Sequence, residues 1–268
     1  MQDLVRAPAK KARRPRFSLI PAHCSIVTRI SFRFGITSKY SSQTTQPERA
    51  NTLRAILFDL DGTLIDQFTA IHRAYARVME KLGLEPADYD TVRKTVGGST
   101  DATMTCLVGP ELAHQGLEIY PPIFEEEMLH GLEAMPGSME ILQALRGKGE
   151  KTAVFTNKVG PHARAACDHL GFTPLVDLVI GVKDTPWRKP EPEFTRHVLD
   201  LLGAKAEHSL LVGDSPFDAA SAANVGMPCR LVTTGTHSAE ELKDTGALSI
   251  HADLPDLARA AWGPYLLP

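Results

Sequence analysis

Asp59 and Asp61, in the run Phe58-Asp59-Leu60-Asp61-Gly62-Thr63, put two carboxylates two residues apart, with Gly62 free to turn the backbone tightly. Such a pair suits phosphoryl chemistry. One carboxylate can attack phosphorus covalently, while its neighbour protonates the leaving oxygen and later activates water. Two negative charges facing a phosphate dianion repel it, so a divalent cation must neutralise them, and Mg²⁺ matches carboxylate, carbonyl, water and phosphate oxygens. An acidic turn is the alternative for this run taken alone. A calcium loop fails on spacing, because Gly62 comes too early and the twelfth position counted from Asp59 is Ala70, not Glu.

Three later segments carry groups of matching chemistry. In Val154-Phe155-Thr156-Asn157-Lys158, followed by Gly160-Pro161, the Thr156 hydroxyl, the Asn157 amide and the free N–H groups of the next helix can all donate to an anion. In Trp187-Arg188-Lys189-Pro190-Glu191-Pro192 two prolines stiffen the approach to a helix and fix Lys189 near its start, where an ammonium can bind phosphate and orient Asp59. In Leu211-Val212-Gly213-Asp214-Ser215-Pro216-Phe217-Asp218, Asp214 can ligate a metal and Asp218, one helical turn on, can ligate it or hold its water. A plain helix cap, a surface lysine and a capping aspartate are the separate alternatives. Coincidence is a poor account of all four together, since each follows an apolar run.

These runs must be positioned by strands. Ala55–Phe58, Thr152–Phe155, Leu178–Ile180, Leu210–Val212, Arg230–Val232 and Leu248–Ile250 read as buried strands, with helices near 161–170, 192–202, 217–224, 238–244 and 254–261. Strand and helix in alternation predict an α/β fold: a Rossmann-like parallel sheet covered by helices on both faces, with ligands outside the carboxyl ends of its strands. From Phe68, apolar residues at Ile71, Tyr75, Val78, Met79 and Leu82 mark one helical face that Gly83 closes, and residues 67–133 hold only helical segments and loops. The expected organisation is a basic extension over 1–50, a core made of 51–66 and 134–268, and an inserted all-helical cap over 67–133. Ser138 is expected to cap the helix Met139–Arg146.

Over the 268 residues, 43% hydrophobic and 23% charged content excludes wholesale disorder. Residues 1–50 carry ten Lys/Arg against two acids, Asp3 and Glu48, leaving nineteen bases against thirty acids for the rest. That Arg- and Ser-bearing, acid-poor stretch has the composition of an organelle transit peptide. A disordered arm, a weak nucleic-acid or membrane contact, or translated sequence upstream of the true start are the competing readings. Cys24, Cys106, Cys167 and Cys229 lie far apart with no Cys-x-x-Cys pair, which points to a reducing compartment and no structural metal cluster. No run is long and apolar enough to predict a membrane span. The expected location is cytoplasmic, or an organelle after loss of the extension.

The four motifs, intact and in this order over roughly residues 54–262, resemble those of the haloacid dehalogenase superfamily. The resemblance implies Asp59 as nucleophile, Asp61 as general acid/base and backbone-carbonyl Mg²⁺ ligand, Thr156 and Lys189 as phosphate binders, Asp214 as the remaining metal ligand and Asp218 as its support. It also implies that the 67–133 helices close over the site. Asp61 argues against the dehalogenases proper, which lack the second Asp, and against the phosphonoacetaldehyde hydrolases, which have Ala there. β-Phosphoglucomutases usually carry an Arg in a cap loop that here reads Val96-Gly97-Gly98-Ser99-Thr100-Asp101. Thr156-Asn157-Lys158 and that Gly-rich loop are similar to phosphoglycolate phosphatases. The implied activity is Mg²⁺-dependent hydrolysis of a small phosphate monoester through an aspartyl-phosphate, by a monomer or homodimer that needs no nucleic acid. A sugar-phosphate phosphotransferase or mutase and a non-catalytic binding module are the alternatives. Ser99, Thr100 and Asp101 are the candidate cap contacts to substrate; His72, His114 and His162 are left as surface or core histidines.

Overall fold

The structure, a computed structural model, describes residues 55–263; the basic extension expected over 1–50 and Cys24 lie outside the described residues. Strand β1, Ala55–Phe58, is buried at every position and forms the middle of a six-stranded parallel sheet. Its neighbours are β4 (Lys151–Val159) on one side and β6 (Leu210–Gly213) on the other. Beyond β4 lies β5 (Leu178–Val182), and beyond β6 lie β7 (Cys229–Val232) and β8 (Ser249–His251), giving the order β5-β4-β1-β6-β7-β8. The chain builds outward from β1 to β5, then returns to β1's other edge. Loops therefore leave β1, β4 and β6 around one crevice at their carboxyl ends, where a parallel α/β sheet binds its ligands.

The alternation of side chains along β1 sorts the core into two layers. Ile56 and Phe58 face a cluster with Ile141, Leu142 and Leu145 of α5 (Ser138–Gly147), Ala163, Ala166 and Cys167 of α6 (Gly160–Leu170), and Leu254 and Leu257 of α10 (Leu254–Ala261). Ala55 and Leu57 face the other, with Phe194, Val198, Leu199 and Leu202 of α7 (Pro192–Leu202), Ala219 and Ala222 of α8 (Pro216–Ala223), and Leu242 of α9 (Ala239–Leu242). Burying a side chain such as Leu57 or Phe58 contributes about 1.5–3 kcal/mol. The predicted doubly covered parallel sheet is what forms.

Between β2 (Ile65–Asp66) and β3 (Glu133–Ala134) the chain makes four helices: α1 (Phe68–Lys81), α2 (Tyr89–Thr95), α3 (Thr100–Val108) and α4 (Pro110–Glu127). Their buried side chains, among them Phe68, Tyr75, Val78, Met104 and Phe124, form a cluster of their own. No helix among the described residues is long and apolar enough to cross a membrane.

Three details differ from the sequence reading. β2 and β3 pair antiparallel at the base of the insertion, two residues each, too short for a periodic signal. β4 runs on to Val159, with an irregularity in its pairing to β5 between Phe155 and Val159. Ser138 does not cap a helix: Gly137 occupies that position, and the Ser138 hydroxyl donates to the Leu64 carbonyl (2.8 Å), fastening α5 to the residue that leads into β2.

Candidate active site

Asp59 immediately follows β1, and its backbone N–H still donates to the Val212 carbonyl of β6 (2.9 Å), so the sheet itself fixes where the side chain starts. Lys189, on the segment leading into α7, donates from Nζ to Asp59 Oδ1 and to Asp218 Oδ1, both at 2.7 Å. Burial alone would lower this ammonium's pKa, but the Asp218 and Asp59 carboxylates outweigh it and hold the group above its ordinary value. The other Asp218 oxygen accepts from the Asp214 N–H (3.2 Å), the Ser215 N–H (3.1 Å) and the Ser215 hydroxyl (2.6 Å). Both Asp218 oxygens are thus engaged by the protein. Asp218 cements α8 to Lys189, and it alone of the sequence-predicted residues does not line the cavity described below.

Asp214 extends from β6 toward Asp59. Its Oδ2 accepts from the Thr236 N–H (3.2 Å), and Thr63 Oγ1 lies 3.4 Å from Oδ1. One oxygen from each of Asp59, Asp214 and Asp218 falls within 4.8 Å of the others, and all three residues are buried. Burial first, and the Asp59 and Asp218 charges second, push the Asp214 carboxyl well above the usual carboxylate range. A cation beside it is what would keep it ionised. An all-oxygen donor set of this kind fits Mg²⁺, with Asp59 and Asp214 as the residues able to hold it.

Glycines make the approach possible. Gly62 has φ +82°, and a Cβ there would lie 2.7 Å from the Cα of Gly235; a Cβ on Gly235 would fall 1.7 Å from Asp214 Oδ2. The 234–236 segment therefore lies directly against the acidic group, with the Thr234 hydroxyl donating to the Gly62 carbonyl (2.6 Å).

Asp61 separates from the other acids. Its carboxylate oxygens accept from Lys158 Nζ at 3.0 and 3.1 Å, so its side chain stands apart from the buried carboxylate group, as expected for a residue whose metal contact would be its backbone carbonyl and not its carboxylate. Thr156 is buried, and its hydroxyl oxygen accepts from the Lys158 N–H (3.1 Å), leaving the hydroxyl hydrogen to donate elsewhere. Asn157, expected to bind phosphate, is used on the main chain of Lys189: Oδ1 accepts from Lys189 N–H (2.8 Å) and Nδ2 donates to its carbonyl (3.2 Å). It holds the Lys189-Pro190 segment, whose peptide bond is cis, against β4.

A cavity of about 560 Å³ lies between this edge of the sheet and the insertion. Asp59, Asp61, Thr156, Asn157, Lys158, Lys189 and Asp214 line it from the sheet; Tyr75, Ser99, Thr100, Asp101, Tyr120 and Phe124 line it from the insertion. Ser99 is also the cap of α3, accepting from the Ala102 N–H (3.2 Å). His162, unassigned by the sequence, is in the cavity wall beside Glu125 (3.3 Å); burial, then Lys158 and Lys183, lower its pKa. His72 does not line it and donates from Nε2 to the Ala87 carbonyl (3.0 Å), and His114 is exposed beside Glu118 (3.5 Å). The sequence reading also missed Arg93 of α2, whose Nη2 donates to the carbonyls of Thr234 (3.1 Å) and Gly235 (2.7 Å) and so ties the insertion to the segment covering Asp214.

A profile of the family described as haloacid dehalogenase-like hydrolase matches residues 56–232. The chain belongs to this family. A phosphoglycolate phosphatase of Rhodobacter capsulatus is 36% identical over 191 residues, covering 68% of this chain and 84% of its own. A phosphoglycolate phosphatase of Rhodospirillum rubrum is 33% identical over 220 residues, covering 76% and 89%. A solved haloacid dehalogenase-like hydrolase of Streptococcus pneumoniae superimposes with a TM-score of 0.72 at 20% identity, over 79% of this chain and 99% of its own, which shows the shared fold. The parallel sheet is that family's, and the helical insertion is consistent with it.

Proposed function

We propose that this phosphoric monoester hydrolase removes phosphate from a small carboxylate-bearing ester such as 2-phosphoglycolate, using Mg²⁺ and an aspartyl-phosphate intermediate on Asp59. The observation that carries the reading is the 2.7 Å hold of Lys189 on Asp59, with Asp214 beside it at the carboxyl edge of the sheet. Lys189 fixes one Asp59 oxygen, leaving the other to approach phosphorus, and its remaining ammonium hydrogen can reach a phosphate oxygen. The Thr156 hydroxyl donates to the same phosphate. Asp59 Oδ forms a bond to phosphorus as the ester P–O bond breaks, and Asp61 gives its proton to the departing oxygen. Asp61 then takes a proton from the water that hydrolyses the acyl phosphate, restoring Asp59 and releasing inorganic phosphate. Asp59 and Asp214 would hold Mg²⁺, which would supply the charge that lets a phosphate dianion lie against these carboxylates.

The helical insertion acts in this reading as a cap, excluding water and shaping the space for the organic part of the ester, with Ser99, Thr100 and Asp101 at its loop. The curated relatives quoted above carry the phosphoglycolate assignment, and the absence of an Arg from loop 96–101 fits a phosphatase better than a mutase. The test is release of inorganic phosphate from 2-phosphoglycolate by purified protein, with and without Mg²⁺. Retention of full activity in Asp59→Asn, or conversion of substrate to an isomeric phosphate ester without release, would remove this reading.

A further inference from the structure

Lys158 is one of the charged cavity residues to which the reaction above gives no task, and it is the one among them that touches a proposed reacting group. Its side chain is 7% exposed, and its ammonium bridges both oxygens of Asp61, at 3.0 and 3.1 Å. The residue sits in the irregular stretch of β4 between Phe155 and Val159, where its own N–H is anchored on the Thr156 hydroxyl (3.1 Å). On its other side the ammonium lies 5.0 Å from the ring centroid of Phe124, on α4 of the insertion. That ring stacks on Tyr120 (5.4 Å, 11° between planes), so an aromatic wall of the insertion covers the lysine.

Each contact has a physical consequence. Asp61 lies on a loop two residues past Asp59, and a free carboxylate there would sample several rotamers. Two simultaneous hydrogen bonds restrict it to one. A protonated carboxyl keeps one of the two bonds, through its carbonyl oxygen, while its hydroxyl points elsewhere. A long lysine side chain is costly to order, and the Phe124 face offsets part of that cost by a cation–π contact.

We infer that Lys158 is a positioning residue for Asp61: it fixes the carboxyl toward the leaving group, and the seated insertion holds the lysine in place through Phe124. The inference rests on the acid/base role proposed for Asp61. In the step concerned, Asp59 bonds to phosphorus, the P–O bond to the leaving group breaks, and the Asp61 proton goes to the departing oxygen. An alkyl ester, whose alkoxide is a poor leaving group, needs that proton in place; an aryl ester, whose phenolate is already stable, does not.

The experiment compares kcat/KM for p-nitrophenyl phosphate, 2-hydroxyethyl phosphate and 2-phosphoglycolate in the wild type, Lys158→Met, Lys158→Gln, Lys158→Arg, Asp61→Asn and the Lys158→Met/Asp61→Asn double variant. Lys158→Met and Lys158→Gln are expected to lose about 100-fold on both alkyl esters and less than about threefold on the aryl ester. Lys158→Arg recovers most of the loss, and the double variant is no worse than Asp61→Asn, because both changes remove one function. Thermal melts of each variant check that it is folded. Equal losses on all three esters would reduce Lys158 to a structural residue and overturn the inference. A loss confined to 2-phosphoglycolate would make it a binder of the substrate's carboxylate, which also overturns it. If Asp61→Asn is itself indifferent to the leaving group, the acid/base role of Asp61 falls and this inference with it.

Discussion

On the sheet side of the cavity, Asp59, Lys189, Asp214 and Asp218 are buried and hold one another or the backbone through short hydrogen bonds; on the insertion side, Tyr75, Tyr120 and Phe124 meet ring to ring. The two walls enclose the same space with different physics. Asp59 and Asp214 are positioned by strand ends, Lys189 by the segment leading into α7 and Asp218 by the start of α8, and each is satisfied only while its partner is present. The upper wall is largely aromatic, and away from the Phe124 face that backs Lys158 and the Glu125–His162 pair it can change shape by small shifts without leaving a charge unpaired. Chemistry should therefore be intolerant of change below, and substrate preference should be adjustable above.

The harshest way to break that contrast is to remove the lower wall's one fully buried cation. Lys189→Met leaves Asp59 and Asp218 without their counter-charge and is expected to cost about 3–5 kcal/mol in urea unfolding, because breaking a buried pair strands the remaining charge. The same change should lower kcat by roughly 10²–10³-fold. Stability and activity near those of the wild type would mean that the pair is not preorganising Asp59.

A smaller effect is expected from Gly235→Ala, whose new methyl group would compete with Asp214 Oδ2 for space. Overpacking of this kind costs about 1–3 kcal/mol. A displaced Asp214 should also weaken the apparent Mg²⁺ affinity about tenfold, read by titrating activity and thermal stability with the metal. Unchanged Mg²⁺ dependence would separate Asp214 from the metal.

For the upper wall, Tyr120→Leu keeps the surface apolar and removes the stack on Phe124. KM for the substrate is expected to change by up to about tenfold while kcat stays within about threefold, the pattern of altered binding without altered chemistry. A collapse of kcat would carry catalysis into the insertion and erase the contrast.

The smallest effect belongs to an ion pair that lines neither wall. Arg164 clasps both oxygens of Asp184 (2.8 and 3.0 Å) and, with the Gly181 N–H, holds its carboxyl below the usual range. A depressed carboxylate pKa gives stability that is present above the unfolded value of about 3.9 and is lost as pH falls through the lower folded value. Arg164 is substantially exposed, so Arg164→Leu should cost less than about 1 kcal/mol at neutral pH. That difference should shrink as pH falls below about 4.

The lower wall was legible in the sequence because its chemistry rides on strand ends: Ala55–Phe58 and Leu210–Gly213 announce themselves as apolar runs, and Asp59 and Asp214 follow directly. Asp218 was legible as a partner of the site but not in its actual task, since only the fold shows that Ser215, the Asp214 N–H and Lys189 already occupy both of its oxygens. The hold of Asn157 on Lys189 was illegible for the same reason, its partner being main chain thirty-two residues on. Lys158 and Arg93 were missed because their partners lie 97 residues away at Asp61 and 141 and 142 residues away at Thr234 and Gly235. Tyr75 shows the limit from the other direction. Its helical spacing correctly marks a buried face, but spacing does not say that the face also borders a cavity.

The central claim is that Asp59 carries phosphate during turnover. Acid-quenching the enzyme with 2-phosphoglycolate and Mg²⁺ and mapping the trapped phosphate by mass spectrometry tests it directly. The account predicts an acid-stable, base-labile phosphate on the peptide containing Asp59, absent in Asp59→Asn; rapid turnover with no phosphorylated Asp59 at any quench time, or phosphate on another residue, would contradict it.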